Sequence, residues 1–454
     1  MRPAAPQPLS ALVLAAGQGT RMRSATIKLL HPLWRRPMLA WTLDAVRALS
    51  PEHLMVVTGF QADQVRAALD REAVQRTDVL QDPPRGTGHA VMCARPSLEK
   101  NSTGDLLILN GDLPLLTAST LERFLSAHRQ AGATLSVLST ELEDPAGYGR
   151  MVRDGQRLAR IVEHRDATPE EQAIREINCG VYLIRLPDLL GELDTLTTDN
   201  AQGEYYLTDI VHSLGARGEH VQPVLHPDAG EVLGVNDRRE LAAASGLLGD
   251  RKRAQLMQDG VTLIDPQRTY IDPRAEIGAD TTLYPNVWIE GDCRIGNGCT
   301  IRPNVHLINC QVADDVILKD HCVIEDADIG AGAQVGPFAH LRPGTVLGRQ
   351  VKVGNFVETK KARLGDGSKA SHLSYLGDAD LGKDVNVGAG TITCNYDGRD
   401  KHVTVLEDGV FIGSDTQLVA PVKVGAGAYI GAGSTITKDV PAGALALTRT
   451  GQRN

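Results

Sequence analysis

Several features are scarce or missing in this 454-residue sequence, and each absence narrows what the chain can be. No run of about 18 apolar residues occurs, so no membrane span is predicted. The seven cysteines, at 93, 179, 293, 299, 310, 322 and 394, are odd in number and include no CxxC pair. In so long a chain this speaks against a disulfide framework and points to a reducing, cytosolic compartment. Aromatic residues make up only 4%. Positive charge is in deficit: 47 Lys and Arg against 56 Asp and Glu give a net charge of −9. That balance argues against nucleic acid as a partner, while leaving room for a local anion site. The apolar stretch Leu9–Ala16 follows Arg2 and loosely imitates a signal peptide. Pro3, Pro6 and Pro8 break its front, and it runs into Gly17-Gln18-Gly19-Thr20-Arg21.

What is present is unevenly spread. Residues 1–259 hold 20 glycines and residues 260–454 hold 26, so the two halves are built differently. In the first half, the apolar run 11–16 suits a buried parallel strand. A helix is predicted at 38–49, a strand at 53–58, a helix at 61–70 and a strand at 78–81. A helix at 87–95, a strand at 106–110 and a helix at 117–131 follow. Strands alternating with helices predict an α/β doubly wound sheet. Such sheets bind ligands at the carboxyl ends of their strands.

Three strand ends carry candidates: Gly17–Arg21, Gln81–Thr87 and Asn110-Gly111-Asp112. The first matches neither GxGxxG nor GxxxxGK[ST]. It offers glycine backbone donors with two cations, Arg21 and Lys28, which suits a triphosphate. Alone, it reads equally as a tight turn with a solvated Arg. Asp112 suits Mg²⁺, which takes one or two carboxylates plus phosphate oxygens. It also suits a turn before Pro114.

Leu14-Ala15-Ala16-Gly17-x-Gly19-Thr20-Arg21-Met22 with Lys28 resembles the signature of the sugar-1-phosphate nucleotidylyltransferases. Gln81, Gly86-Thr87-Gly88-His89-Ala90, Gly111-Asp112, Tyr148-Gly149-Arg150, Ile161–His164, Glu176–Asn178 and Gly234-Val235-Asn236 fall in that family's order. The resemblance implies that Leu14, Ala15 and Gly17 hold UTP, with Gln81, Gly86 and Thr87 around the uracil. It implies that Arg21 and Lys28 bind phosphates and stabilise charge during attack. Asp112 and Asn236 would hold Mg²⁺, and Gly149, Glu163 and Asn178 would contact an acetylated sugar. Ile27 stands before Lys28 where the family usually has proline, which predicts a less rigid loop.

Residues 237–258 predict one long helix, capped by Asp237 and bent near Gly246 and Gly249. Its Arg251, Lys252 and Arg253 are expected on a solvated face. Beyond it, aliphatic residues recur every six: 271, 277, 283, 289, 295, 301 and 307. The register then shortens by one to 312, 318 and 324, and again to 329, 335, 341, 347 and 353. Residues 412, 418, 424, 430 and 436 close the array. Period six predicts a three-sided parallel β-helix, with about nine coils over 271–440. Glycine follows many of these aliphatics and is expected at corners, for positive φ or close approach. Cys293, Cys299, Cys310 and Cys322 are expected as small wall residues. The hexad resembles the left-handed β-helix of hexapeptide acyltransferases.

Function is expected where the repeat breaks. The first break concentrates Lys360, Lys361, Arg363, Lys369 and His372. It reads as an anion site with a base able to take a proton near neutrality, or as a solvated basic edge. The second break is the insertion Cys394–His402. NFVETKKARLGDGSKASHLSYLGDADLGKDVNVGAGTITCNYDG resembles the acetyltransferase half of the bifunctional N-acetylglucosamine-1-phosphate uridyltransferase/glucosamine-1-phosphate N-acetyltransferase family. The resemblance implies His372 as general base, supported by Glu358. It places Arg342, Lys360, Tyr375 and Asn386 on the acceptor sugar phosphate. It places Ala389, Asn395, Tyr396, Ser414, Ala432 and Arg449 on acetyl-CoA. A homotrimer in the cytoplasm is implied, acting on UTP, acetyl-CoA, glucosamine-1-phosphate and N-acetylglucosamine-1-phosphate to make a cell-wall precursor.

The expected domains are 1–236 for uridyl transfer, 237–259 as linker helix and 260–454 for acetyl transfer. Two other readings exist: a nucleotidylyltransferase with an allosteric β-helix, and a non-catalytic assembly protein. The His372 constellation argues against the first, and the intact Arg21, Lys28 and Asp112 set against the second.

Overall fold

A computed structural model of the chain describes residues 7–17, 19–101, 103–155 and 157–448. The backbone divides into two compact units, Met1–Gly246 and Leu247–Asn454. The division falls inside one helix, Arg238–Gln258, whose first turn is capped by Asp237 Oδ1 accepting the Glu240 N–H at 2.8 Å.

The first unit holds a mixed sheet. Its strand order is Val221–Leu225, Leu135–Glu141, Glu176–Arg185, Asp105–Asn110, Leu9–Ala15, His53–Thr58, Thr77–Leu80. The last four are mutually parallel, as the alternation predicts. Glu176–Arg185 enters antiparallel to both its neighbours, a departure from an all-parallel sheet. Both faces are covered. Leu12, Val57 and Ile108 share one core with Val91, Ala94 and Ile210. Their chain neighbours Ala11, Val13, Val56 and Leu107 are equally buried on the other face. That two-sided burial is why these strands read as continuous apolar runs.

Backbone pairing continues past the strand ends and fixes the loops that matter. Gly111 N–H donates to Leu14 O at 2.9 Å, and Gln81 N–H donates to Thr58 O at 2.8 Å. Ile27 is buried, with φ −57° and ψ 139°. It takes the backbone a proline would impose. Burial of its side chain holds the loop where a ring would otherwise do so.

The second unit is the three-sided, left-handed parallel β-helix. Ile271 pairs with Ile289, Ile277 with Ile295 and Leu283 with Ile301, one coil of 18 residues apart. After the shortening, Ile295 pairs with Val312, Ile301 with Leu318 and Leu307 with Ile324. One face is an 11-stranded sheet running from Thr262–Leu263 to Leu445–Ala446, so the solenoid extends one strand beyond each end of the hexad array. The four cysteines line its interior, all buried and free.

The corner glycines separate into two roles. Most of those that follow an aliphatic, such as Gly278, Gly296 and Gly354, serve close approach and not positive φ, Gly336 being an exception at φ 97°. At the corner that holds Gly278 and Gly296, positive φ falls instead two residues further on, on the column Asp280, Gly298, Asp315, Gly332, Gln350, Gly367 and Asp384. Each donates its N–H to the coil before it. Asp and Gly suit left-handed backbone, which explains the column's composition. At Gly354, a Cβ would run into the Ser371 carbonyl of the next coil, beside His372. Gly354→Ala should therefore lower the melting temperature of this unit. It should also slow acetyl transfer by about 10²-fold through displacement of His372. Thermal melting and thiol release from acetyl-CoA check both.

Arg253 departs from its expected solvated face. It is buried, and donates to Thr269 O at 3.1 Å and Asp250 Oδ1 at 2.5 Å. A guanidinium capping a carbonyl of the first coil looks, in sequence, like any other helix charge.

Candidate active sites

In the first unit two cavities share a wall. One, of about 390 Å³, is lined by Leu14, Gly17, Lys28, Gln81, Gly86 and Thr87. The other, of about 290 Å³, is lined by Arg21, Tyr148, Gly149, Glu163, Asn178 and Asn236. Leu14, Thr87, Asn110 and Asp112 line both. Ala15 lies behind them, buried in its strand. The residues expected on the nucleotide and those expected on the sugar thus fall in adjoining spaces, with Asp112 at the junction.

Charge is concentrated at that junction. Lys28 Nζ lies 2.5 Å from Asp112 Oδ2 and 3.2 Å from Asn236 Oδ1. Arg21 Nη2 donates to Asn236 Oδ1 at 2.8 Å. Val235 N–H donates to Asp112 O at 2.9 Å, tying Asp112 through backbone to the segment that carries Asn236. Glu240, not foreseen as part of the site, lines the second cavity and accepts the Asn236 N–H at 2.6 Å. Its signal was visible as the Asp237-x-x-Glu240 spacing of a capping box.

In the sugar cavity, Asn178 Nδ2 donates to the buried Tyr182 hydroxyl at 2.6 Å. Glu163 Oε1 accepts from Thr208 Oγ1 at 3.2 Å. Burial holds the Glu163 carboxyl above the ordinary range, with Asp166 and Asp209 adding to it. Burial likewise pushes the Tyr148 phenol up to about 12, with help from Glu240 and Asp112.

In the second unit, His372 and three of the residues expected on acetyl-CoA form one column along the solenoid. Asn355 is in register with His372, and Lys352, Lys369, Asn386, Phe411 and Tyr429 align on successive coils. Counting three residues on from each gives Asn355, His372, Ala389, Ser414 and Ala432. Asp415 N–H donates to Ala389 O at 2.7 Å, and Gly433 N–H donates to Ser414 O at 2.8 Å. At about 4.8 Å per coil, three steps from His372 to Ala432 span roughly 14 Å. The residues that follow His372 on this column, Ala389, Ser414 and Ala432, are all small. Arg449 lies outside the described residues.

His372 is exposed, and its Nδ1 lies 2.8 Å from Asn355 Oδ1. That partner places the proton on Nδ1 and leaves the Nε2 lone pair for chemistry. Glu358 makes no such contact; it pairs with Arg342 at 2.7 Å. The reason is register: Glu358 aligns with His340 and Tyr375, on a different face from His372. Asn355 lies 17 residues before His372, one shortened coil, so counting coils finds it.

The basic cluster is also redistributed. The strand Glu358–Leu364 turns a corner at Lys361, whose φ is 46°. Lys360 and Arg363 therefore pair with different stretches of the next coil, Gly377 and Asp380. Lys369 belongs to the third face. What gathers around Lys360 is Lys401 and Arg342, and their positive charge holds its ammonium below the ordinary lysine value, Lys401 first. Lys401 was not foreseen, because the repeat gives no register for an insertion. That insertion folds back as a small hairpin: Tyr396 bridges Lys401, and Asp397 accepts from His402 Nε2 at 2.8 Å. Asn395 Nδ2 donates to Asp378 Oδ2 at 2.5 Å. Tyr375 and Asn395 both crowd Gly377. Asn386 stands on the third face beside Lys369, away from Arg342, Lys360 and Tyr375.

The fold and these sites define a nucleotidyltransferase joined to a hexapeptide-repeat acyltransferase. Comparison with known proteins agrees. Residues 11–259 match the MobA-like NTP transferase domain, and residues 404–438 match the bacterial transferase hexapeptide repeats. Residues 266–365 match the GMPPB C-terminal domain. The Bifunctional protein GlmU of Trichlorobacter lovleyi is 53% identical, with 98% of this chain and 96% of that protein covered. Those of Pelobacter propionicus and Heliobacterium modesticaldum are 50% and 49% identical, each with at least 95% of both chains covered. The chain belongs to the bifunctional GlmU family, and is a bifunctional enzyme with uridyltransferase and acetyltransferase activities.

Proposed function

We propose that the second unit acetylates glucosamine-1-phosphate with acetyl-CoA. The first unit then transfers UMP from UTP to the N-acetylglucosamine-1-phosphate so formed, releasing pyrophosphate and UDP-N-acetylglucosamine for cell-wall precursors in the cytoplasm. The observation that carries this reading is the presence, in one chain, of the Lys28–Asp112–Asn236 junction and the His372 column.

In the uridyl transfer no protein nucleophile is needed. A sugar phosphate oxygen held near Glu163 and Asn178 attacks the α-phosphorus in line. Arg21 and Lys28 stabilise the charge that develops there, in a partly enclosed site. Asp112 and Asn236 would hold Mg²⁺; their oxygens fit a hard cation, and the Lys28 ammonium already seeks them out. Bound there, Mg²⁺ would supply neutralisation of the triphosphate. Chelation with EDTA should stop pyrophosphate release, and added Mg²⁺ should restore it. Acetyl transfer should continue unchanged, since His372 and its column belong to the other compact unit. Acetyl transfer that also stopped would contradict the assignment.

In the acetyl transfer, His372 Nε2 takes the proton from the amine as it attacks the thioester carbon, and CoA leaves as the thiol. Arg342, Lys360 and Lys401 supply the positive charge for the acceptor's phosphate. A homotrimer is part of this reading. It is supported by the placement of Asn386 on a different face from Arg342, Lys360 and Tyr375, so that the residues expected on one acceptor would be drawn from two copies. Phe338, Phe356 and Leu373 expose an apolar corner that ends beside His372. Among the described residues, no helix is long and apolar enough to cross a membrane.

A further inference from the structure

The nucleotide cavity contains a hydrogen-bond relay that none of the roles above uses. Gln81 lines this cavity, nearly buried at 3% exposure. Its Nε2 donates to Gly86 O at 2.9 Å and lies 3.2 Å from His89 Nδ1. His89 Nε2 in turn lies 3.8 Å from Cys93 Sγ, one helical turn on. The Tyr205 ring stacks on the imidazole, with centroids 6.2 Å apart.

Chemistry assigns every proton in this chain. A backbone carbonyl only accepts, so the Gln81 nitrogen, and not its oxygen, must face Gly86. The second amide hydrogen then points at His89 Nδ1, which must carry a lone pair. His89 is therefore the Nε2–H tautomer, and that hydrogen faces the Cys93 sulfur, a weak acceptor. Burial and the Arg85 guanidinium lower the His89 pKa, which keeps the ring neutral and Nδ1 free to accept. Burial raises the Cys93 pKa, which keeps the thiol protonated and uncharged. Both hydrogens of the Gln81 amide are thus committed to protein, and its oxygen remains for the ligand.

We propose that His89 is a positioning residue for base selection. Through this relay it locks the Gln81 amide with its oxygen presented to the base, so that the site takes uracil and refuses cytosine. Uracil offers an N–H at ring position 3, which donates to that oxygen. Cytosine offers a lone pair there, which repels it. A reversed amide would suit cytosine, but would set its oxygen against the Gly86 carbonyl and lose both donated bonds. The inference rests on the reading that Gln81 sits at the uracil.

The test compares kcat/KM for UTP and CTP in the full chain, with acetyl transfer as the control for a folded preparation. His89→Leu should lower the UTP-to-CTP ratio about ten-fold, the worth of roughly one hydrogen bond. His89→Asn places an amide oxygen near the old Nδ1 position and should recover most of the ratio. His89→Phe keeps a ring against Tyr205 and reads the same contrast if the leucine variant is unstable. Gln81→Ala should collapse the ratio. If Gln81→Ala collapses it and neither His89→Leu nor His89→Phe changes it, the relay is overturned while the Gln81 reading survives. If Gln81→Ala leaves the ratio unchanged, the Gln81 reading fails and the relay with it.

Discussion

Replacing His372 by alanine is expected to slow acetyl transfer by about 10²- to 10⁴-fold, the usual contribution of a positioned general base. Pyrophosphate release from UTP should continue at the parental rate. The expectation follows from the column on which His372 stands. Asn355 Oδ1 fixes the imidazole proton on Nδ1, so Nε2 is the free base. Ala389, Ser414 and Ala432, the residues proposed for acetyl-CoA, lie on the same column. The side chain is exposed, so its removal leaves no cavity in the aliphatic ladder. The solenoid should therefore melt as before, and the loss should appear in kcat. An unchanged rate of thiol release from acetyl-CoA would remove His372 from the reaction.

The second large effect is expected at Asp112. Asp112→Ala should reduce pyrophosphate release by about 10³-fold or more, since metal-held charge stabilisation supplies several kcal/mol. Asp112 lies where the two cavities join and is the carboxylate that pairs with Lys28. Without it, the Lys28 ammonium keeps only Asn236 as a partner among the contacts described here. Acetyl transfer should be untouched, because His372 belongs to the other compact unit. Saturating Mg²⁺ should not rescue the variant. Turnover retained at high Mg²⁺ would show that Asp112 holds no metal.

Much of this architecture is legible in the sequence, for definite reasons. Each coil of the solenoid repeats one local solution, so residues such as Ile295 and Val312 announce their stacking through spacing alone. The first-unit strands are buried on both faces and read as apolar runs, yet the same burial hides the direction of Glu176–Arg185. Side-chain partners across coils are harder to read, because each one-residue shortening changes the count. Hence Asn355, and not Glu358, meets His372. The basic residues near Lys360 look like one patch in sequence, but a corner at Lys361 sends Lys360 and Arg363 to different faces. Lys401 joins Lys360 through a hairpin whose geometry no repeat encodes. In the first unit, the strand-end motifs name Gln81, Lys28 and Asp112, and the fold brings all three to one cavity. The contacts of Thr208 and His89 depend on side-chain angles that only the folded chain reveals.

The central claim is that one chain carries two reactions in sequence. The most direct measurement supplies the purified chain with glucosamine-1-phosphate, acetyl-CoA, UTP and Mg²⁺, and follows free thiol and pyrophosphate in the same tube. The account predicts that thiol appears first, that pyrophosphate follows with a lag, and that both reach equal amounts. Without acetyl-CoA, pyrophosphate should not form until N-acetylglucosamine-1-phosphate is added. Pyrophosphate released at full rate from glucosamine-1-phosphate alone, or no thiol released at all, would contradict it.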